Sequence, residues 1–238
     1  MLPYVTIGQF KLSLYYTAMV LGYVFMAVLM LLKSRRAKYG MSRPRAVLFA
    51  TLELIFGILG CKILYVLECI ELVKEKGFTI GGFSFYGAVF LIPLMMPLFK
   101  KPLGLDLRST LDNSAICIIA MLGTIRIGCY LNGCCGGRVF TLGDWSFSLP
   151  TQLIECACDF VILYFLLRSE KKGDAKGFLY PRFLLCYGVA RFFIEFLRNT
   201  DKDWLGFSHA QWFSAAAVII GAVCEVLLRK MKKAGEKE

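Results

Sequence analysis

The sequence predicts an all-α integral membrane protein with about seven transmembrane helices, its N-terminus outside the cell and its C-terminus in the cytoplasm. Two observations predict the helical membrane class: 58% of the 238 residues are hydrophobic and 19% are charged, and the mean hydropathy is +0.62. Soluble domains are less apolar than this. A third observation, the alternation of basic connections along the chain, predicts the orientation. We expect one transmembrane domain that spans residues 1–238.

Seven apolar segments are separated by more polar connections. A helix needs about 20 apolar residues to cross a bilayer, and the third and fifth segments are short for this, so six or eight spans stay open. The first segment is too long for the apolar core of a signal peptide and has no basic region before it, so we expect it to be retained. The predicted spans are Lys11–Leu32, Ala46–Leu72, Gly82–Phe99, Ser114–Gly133, Pro150–Leu167, Phe178–Phe196 and Ala210–Leu228.

The basic residues are concentrated in alternate connections. Eighteen of the 28 Lys and Arg residues lie in four segments, at 33–45, 100–108, 168–176 and 229–237. Because connections rich in Lys and Arg stay in the cytoplasm, these four are predicted to face inward. The C-terminus is then cytoplasmic and the N-terminus outside, which requires an odd number of spans. The net charge of +11 is therefore explained by basic residues that orient the protein in a membrane rather than by binding to nucleic acid.

Residues 123–138 interrupt the apolar pattern at the outer end of the fourth span. They include two arginines, three cysteines, one asparagine and five glycines. An arginine at the bilayer centre costs roughly 2.5–3.5 kcal/mol on insertion scales and usually faces the protein interior or a wet cavity, so Arg126 is expected to meet an anion. The glycines allow close approach of backbone and ligand. This stretch is predicted to form one wall of a polar site that opens toward the outer face.

The sixth span carries a second polar pattern. Tyr187, Arg191, Glu195 and Arg198 follow one another at spacings of four, four and three, which places them on one face of a helix. The surplus of positive charge suits an anionic headgroup, with Glu195 orienting Arg191 and the forked guanidinium groups binding phosphate. A buried structural ion pair is the alternative for this segment.

Other polar residues inside the predicted spans need partners. Glu155 needs a cationic one. Arg126 could instead be a structural cation bonded to carbonyl groups or to Asp112, fourteen residues earlier. Lys62 is a third intramembrane cation, whose alternative is to extend toward the nearer interface. Tyr15 could cap the same cavity or belong to the interfacial aromatic belt.

The three cysteines Cys129, Cys134 and Cys135 do not predict a metal site. Their spacing, C-x4-C-C, matches no standard zinc pattern and no histidine is near, so we predict neither a metal nor a cofactor. A redox pair or a disulfide on the outer face is one alternative, and close helix packing by small residues is favoured. His209, the only histidine, is expected to form an interfacial hydrogen bond rather than to act as a base.

Several of these motifs together resemble the prolipoprotein diacylglyceryl transferase family. The central signature of that family, G-R-x-G-N-F-x-N-G-E followed by G-R, is similar to Arg126–Gly133 with Gly137-Arg138, and its Y-G-x-x-R-F-x-x-E-F-x-R matches Tyr187–Arg198 almost position for position. Tyr15 matches a family tyrosine in the first span, and Asp112 matches an aspartate before the signature. The family motif P-x-Q-L-Y-E matches Pro150–Glu155, and its S-M-G-Q is similar to Ser208–Gln211. The motifs cover nearly the whole chain.

The resemblance implies a reaction in the bacterial inner membrane, at the outer leaflet. The diacylglyceryl group of phosphatidylglycerol would move to the thiol of a lipobox cysteine in a secreted precursor, with release of glycerol phosphate. Arg126 and Arg191 would hold the phosphate and stabilise the leaving group. On the same basis the catalytic residues are Arg126, Arg191, Tyr86 and Tyr15, and the substrate-binding residues are Arg138, Gly137, Asn132, Tyr187, Glu195, Glu155, Lys62, Asp112 and Gln152.

Several positions depart from the family pattern. Tyr86 stands where the family has a histidine proposed to assist proton removal, and Cys129 and Cys134 stand where the signature has asparagine and glutamate. Leu149 replaces a family histidine that precedes the P-x-Q motif. A tyrosine is a poor base at neutral pH, although Tyr86 could donate a hydrogen bond to phosphate. Two alternatives therefore stay open: a phospholipid-dependent transferase with a different acceptor, and a non-catalytic lipid-binding membrane protein on the same scaffold.

Overall fold

The computed structural model describes residues 4–7, 10–34, 42–77, 82–143, 145–171, 177–200, 202 and 205–235. These residues form eight α-helices, two antiparallel β-hairpins and one 3-10 turn. In chain order the elements are β1 (Tyr4–Ile7), β2 (Phe10–Ser13), α1 (Leu14–Ser34), α2 (Arg43–Glu68), α3 (Ile70–Lys76), α4 (Phe85–Leu103), α5 (Leu107–Asn132), β3 (Val139–Leu142), β4 (Trp145–Ser148), α6 (Thr151–Lys171), α7 (Leu179–Ile194), the 3-10 turn (Glu195–Leu197) and α8 (His209–Gly235).

Each of the seven predicted spans coincides largely with one long helix, namely α1, α2, α4, α5, α6, α7 or α8. In the described part of the chain, α1, α2, α5 and α8 are long and apolar enough to cross a membrane. The protein is therefore a helical membrane protein. The number of seven spans and the orientation of the termini stay predictions, and the basic residues at 35–41 and 172–176, on which the orientation partly rests, lie outside the described residues.

Two boundaries differ from the prediction. Lys11, which was expected to begin the first span, lies in β2, whose residues pair with β1 in the register Tyr4 with Ser13 and Ile7 with Phe10. The second predicted span divides at Cys69 into α2 and the short α3. A second hairpin, β3 with β4, occupies the connection after the fourth span. Apolar content alone does not separate these short strands from helix, because both contain apolar residues.

The described chain divides into two compact units. The larger unit comprises Met1–Val28 and Asp112–Glu238, and the smaller unit comprises Leu29–Leu111. The division falls within α1 and α5. The prediction of a single domain stays a prediction.

In the smaller unit, α2 and α4 pack against each other through glycine. A Cβ atom built at Gly60 would overlap the carbonyl oxygen of Gly87, and a Cβ at Gly87 would overlap that of Gly60. Small residues at a helix contact let the two backbones approach closely, which is the usual packing mode inside membranes. The contact therefore depends on the absence of side chains at both positions.

Replacing Gly60 with alanine is expected to destabilise the protein by about 1–3 kcal/mol, the usual consequence of adding a methyl group to a close-packed contact. The added methyl group would meet backbone atoms of α4, which cannot rotate away as a flexible side chain can. Thermal unfolding of the detergent-solubilised protein measures the effect.

Gly57→Ala is the matched control, one turn earlier on α2. A Cβ at Gly57 would lie 3.7 Å from the Cβ of Ala88, which is an ordinary van der Waals distance. We therefore expect Gly57→Ala to leave the midpoint temperature of thermal unfolding unchanged or to raise it. Equal loss of stability in both variants would contradict the packing described for Gly60.

In the larger unit, α7 packs against both α6 and α8, and its N-terminus is fixed by Asp112 of α5. The carboxylate of Asp112 accepts hydrogen bonds from the backbone N–H groups of Gly177 at 2.5 Å, Leu179 at 2.8 Å and Tyr180 at 3.3 Å. These are the free donors of a helix start, where a negative charge is also favoured. Asp112 therefore sets the position of α7, the helix that carries Arg191.

Candidate active site

Arg126 lies near the end of α5, where α1 approaches closely. Gly128 makes this approach feasible, since a Cβ at Gly128 would overlap the Cβ of Ala18 and lie 3.4 Å from the Cα of Tyr15. The Arg126 side chain is 10% exposed. A guanidinium group enclosed in this way needs an acidic partner, because an unpaired buried charge is strongly unfavourable.

The partner of Arg126 is Glu155 of α6, at 2.6 Å from Nη2 to Oε1. The alternative pairing with Asp112 is wrong. Asp112 and Arg126 lie on the same helix, fourteen residues and so about 21 Å apart, and the carboxylate of Asp112 is occupied at the start of α7. Asp112 is thus not among the residues that the structure gathers around Arg126.

Glu155 also contacts the other two arginines of the site. Its Oε1 atom lies 3.6 Å from Nε of Arg191, and its Oε2 atom lies 3.7 Å from Nη1 of Arg198. The Glu155 side chain is 2% exposed. Three guanidinium groups from two chain segments therefore converge on one buried carboxylate, and Arg126 and Arg191 share one of its oxygen atoms.

Glu195 forms the second acidic centre of the site. Its Oε2 lies 2.7 Å from Nη2 of Arg191 and 3.6 Å from Nε of Arg198. Its Oε1 accepts hydrogen bonds from the hydroxyl groups of Thr200 at 2.9 Å and Ser208 at 3.1 Å. The predicted pairing of Glu195 with Arg191 agrees with this geometry, and the two hydroxyl groups fix the carboxylate that orients the arginine.

These five residues, which we call the arginine cluster, are Arg126, Arg191, Arg198, Glu155 and Glu195. Three positive and two negative groups in direct contact carry a net charge of +1. Arg126 Nε and Arg191 Nη1 are buried without a hydrogen-bond acceptor among the described residues, whereas Arg198 Nε faces Glu195 Oε2 at 3.6 Å. The cluster therefore has both the charge and the donors to bind one anion, and guanidinium forks suit a phosphate.

Two residues of this region were not among the predicted site residues. Arg198 was placed on the face of Arg191, where its positive charge was expected to suit an anionic headgroup, but it was not named as a site residue, and Asp159 was not considered. Asp159 is buried on α6, four residues after Glu155, and interacts electrostatically with Arg126 and Arg191 without a salt-bridge contact to them. The spacing of four on one helix is the signal that could have identified Asp159.

The glycine-rich loop after α5 fixes the position of Arg198. Gly137 and Arg198 form an antiparallel β-bridge, and the backbone N–H of Arg138 donates to the carbonyl of Leu197 at 2.9 Å. The N–H of Gly137 donates to the carbonyl of Leu149 at 2.9 Å, just before α6. Gly137 and Arg138 therefore act through their backbone, and the Arg138 side chain is exposed.

The same loop brings three cysteine thiols together. The Sγ atoms of Cys129, Cys134 and Cys135 all lie within 4.8 Å of one another, an arrangement that their spacing in the sequence did not predict. The side chain of Gln152 donates to the carbonyl of Cys134 at 2.6 Å, and the hydroxyl of Thr151 donates to the carbonyl of Cys135 at 3.1 Å. The first turn of α6 thus holds this loop.

The thiol of Cys135 lies beyond the end of α5 and has an altered acidity. Hydrogen bonds from the thiols of Cys129 and Cys134, together with the positive charges of Arg198 and Arg126, lower the pKa of Cys135 below its usual range. Asn132 interacts through its side chain with Cys134. Gln152 and Asn132, which were predicted to bind substrate, are therefore neighbours of the thiols.

The four remaining predicted residues divide between the two units. Tyr187 is buried on α7, one turn before Arg191, and Tyr15 is half-buried in the first turn of α1 opposite Gly128. Lys62 and Tyr86 belong to the smaller unit. There Lys62 Nζ donates to the carbonyl of Gly82 at 3.4 Å and lies 5.0 Å from the centre of the Phe83 ring. Tyr86 is buried, and its ring stacks on that of Phe90 with 5.9 Å between the ring centres.

Comparison with known proteins gives a consistent result. A family model described as prolipoprotein diacylglyceryl transferase matches residues 3–227. A phosphatidylglycerol–prolipoprotein diacylglyceryl transferase of Clostridium tetani is 30% identical over 232 residues, which cover 89% of this chain and 92% of that protein. Phosphatidylglycerol–prolipoprotein diacylglyceryl transferase 2 of Clostridium perfringens is 28% identical over 98% of both chains. The corresponding Methylobacillus flagellatus protein is 35% identical, with 59% of each chain covered.

Proposed function

The chain belongs to the prolipoprotein diacylglyceryl transferase family, and we propose that it transfers the diacylglyceryl group of phosphatidylglycerol to a cysteine thiol of prolipoproteins. The product is a thioether, and the leaving group is glycerol phosphate. The acceptor is the lipobox cysteine of a secreted precursor. The reaction takes place in the bacterial inner membrane, at the outer leaflet.

The observation that carries this proposal is the arginine cluster. A phospholipid with one phosphodiester and no cationic headgroup carries a charge of −1, which matches the net +1 of the cluster. The buried guanidinium nitrogens without an acceptor in the described chain would donate to the phosphate oxygens. A zwitterionic lipid would bring an additional cation close to three arginines and is therefore disfavoured.

The chemistry follows from this charge distribution. The sulfur of the acceptor thiolate attacks the glyceryl carbon next to the phosphate, the carbon–oxygen bond breaks, and the electron pair remains on the departing phosphate. Negative charge grows on that phosphate in the transition state, where Arg126 and Arg191 stabilise it. Fixed donors of this kind can contribute a large part of the catalytic effect because they need no reorganisation.

Several other residues have roles in this proposal. Tyr187 and Tyr15 border the arginine cluster and donate hydrogen bonds to the lipid headgroup, and the exposed Arg138 attracts the anionic lipid surface. Glu155 and Glu195 act as positioning residues because they orient the arginines.

The experiment that tests the function supplies the purified protein with a peptide that contains a lipobox cysteine. With vesicles of phosphatidylglycerol, mass spectrometry should detect a peptide that has gained one diacylglyceryl group on sulfur. With vesicles of phosphatidylethanolamine the product should fall to background, and a peptide with serine in place of the cysteine should remain unmodified.

Two outcomes would overturn the proposal. Binding of phosphatidylglycerol without any modified peptide would indicate a non-catalytic lipid-binding protein. Modification of small thiols but of no lipobox peptide would indicate a transferase with a different acceptor.

A further inference from the structure

The three thiols beside the arginine cluster are arranged like the ligands of a metal ion. Zn²⁺ binds thiolate sulfur at about 2.3 Å, which places the sulfur atoms of a tetrahedral site about 3.8 Å apart. The Sγ atoms of Cys129, Cys134 and Cys135 lie within 4.8 Å of one another. A movement of about 1 Å, within the reach of side-chain rotation, would therefore bring all three to bonding distance of one ion.

The backbone around these thiols is fixed in a conformation that gathers them. Cys135 has a φ of 62°, a left-handed conformation that residues other than glycine seldom adopt and that tends to occur at functional sites. The carbonyls of Cys134 and Cys135 accept hydrogen bonds from Gln152 and Thr151 of α6. The turn that brings Cys134 and Cys135 back to the helical Cys129 is thus held by a neighbouring helix.

We propose that Cys129, Cys134 and Cys135 bind one Zn²⁺ ion as thiolates and leave its fourth coordination position open. Among the described residues, no other His, Cys, Asp or Glu side chain joins these three. Cys129 is buried, Cys134 is half-buried and Cys135 is exposed, so one side of the thiol group can be reached from the surface. Three protein ligands with one open position are typical of catalytic rather than structural zinc sites.

The position of this site gives the ion a role, which rests on the proposed transferase function. Cys129 follows Arg126 by three residues on α5, and Gln152 precedes Glu155 by three residues on α6, so the thiols lie about one helical turn, roughly 5 Å, from the arginine cluster. The fourth position would accept the thiol of the acceptor cysteine. Coordination deprotonates a thiol, with the proton passing to water, and the resulting thiolate would stand next to the bound lipid phosphate.

Metal analysis tests the zinc site without reference to activity. Protein purified under reducing conditions should contain one Zn²⁺ per chain, and replacement by Co²⁺ should give the near-ultraviolet charge-transfer absorption of cobalt–thiolate bonds. Cys134→Ser and Cys135→Ser should each lose most of the metal. Cys186→Ser removes an exposed cysteine of α7 and should retain it.

Three results would overturn the site: no bound Zn²⁺ in protein whose thiols are reduced, a Cys134–Cys135 disulfide in the protein as isolated, or equal metal content in the serine variants and in Cys186→Ser. Because Cys129 is buried, the metal content of Cys129→Ser is compared only if the variant elutes from a size-exclusion column at the same volume as the wild type. Binding of Cu⁺ with no retention of Zn²⁺ would overturn the assignment to zinc.

The Co²⁺ protein also tests the role of the open position. A lipobox peptide should change the visible absorption of the bound cobalt, and the same peptide with serine in place of cysteine should not. Transfer by fully metal-free protein at the wild-type rate would overturn this inference and leave the proposed function intact. Metal and peptide binding without transfer from any lipid would overturn the proposed function and leave the metal site intact.

Discussion

Arg126→Ala is expected to lower the rate of thioether formation by about 100-fold to 1,000-fold, the usual effect of removing one preorganised donor from a site where negative charge develops. The protein should still fold, because Glu155 keeps Arg191 and Arg198 as neighbours and is not left as an unpaired buried charge. The measurement is transfer from phosphatidylglycerol to a lipobox peptide, accompanied by a thermal unfolding curve.

Arg182→Ala is the matched control for this experiment. Arg182 also pairs with a glutamate, Glu225 at 3.5 Å, and Glu225 keeps Arg229 at 2.6 Å as a second partner. Arg182 lies nine residues before Arg191 on α7, about 13 Å along the helix axis. Transfer by Arg182→Ala should therefore remain near the wild-type rate. Equal rates for Arg126→Ala and Arg182→Ala would contradict the assignment of Arg126 to the lipid phosphate.

The helices could be predicted from the sequence because long apolar runs have few alternatives in a membrane. The hairpins could not. Trp145 and Phe147 of β4 are both exposed, so this strand lacks the alternation between buried and exposed side chains that identifies a half-buried strand. The break between α2 and α3 at Cys69 could not be predicted either, because the apolar pattern continues on both sides of it.

Three of the five residues of the arginine cluster, Arg191, Glu195 and Arg198, could be placed on one helix face from their spacing alone. Arg191 and Glu195 lie one turn apart on a helix, and such pairs form from local geometry. The partner of Arg126 could not be found in this way. The rise of the helix excludes Asp112, about 21 Å away on the same helix, but the contact with Glu155 depends on how α5 packs against α6. The thiol site has the same origin. Gly133 and Cys135 both have left-handed backbone conformations, and the N–H of Cys134 donates to the carbonyl of Cys129 at 3.1 Å, an arrangement that the C-x4-C-C spacing does not predict.

Glu155→Gln is expected to lower both stability and turnover, since Glu155 contacts all three arginines of the cluster. Removing one partner from a buried ion pair costs about 3–5 kcal/mol, because the charges that remain are uncompensated. The surplus positive charge should hold the lipid at least as tightly as before. We therefore expect a loss of at least about 100-fold in kcat, with KM for phosphatidylglycerol unchanged or lower.

Glu225→Gln makes the same substitution at a glutamate whose partner Arg229 has a 65% exposed side chain. Ion pairs that reach solvent contribute only about 0–1 kcal/mol. The unfolding temperature and the transfer rate of this control should therefore be close to those of the wild type. A Glu155→Gln protein that also matched the wild type in stability would mean that the arginines do not depend on Glu155.

The double variant Glu155→Gln/Arg198→Gln separates charge balance from geometry. It returns the net charge of the cluster to +1, so part of the lost stability should be recovered, which a thermal unfolding curve can measure. Turnover should remain low, because Arg126 has still lost the carboxylate at 2.6 Å that orients it. Full recovery of turnover would show that only the total charge matters, whereas no recovery of stability would show that Arg198 is not electrostatically coupled to Glu155. The first outcome would mean that Glu155 is not the residue that orients the phosphate-binding arginines, and the second would remove Arg198 from the partners of Glu155.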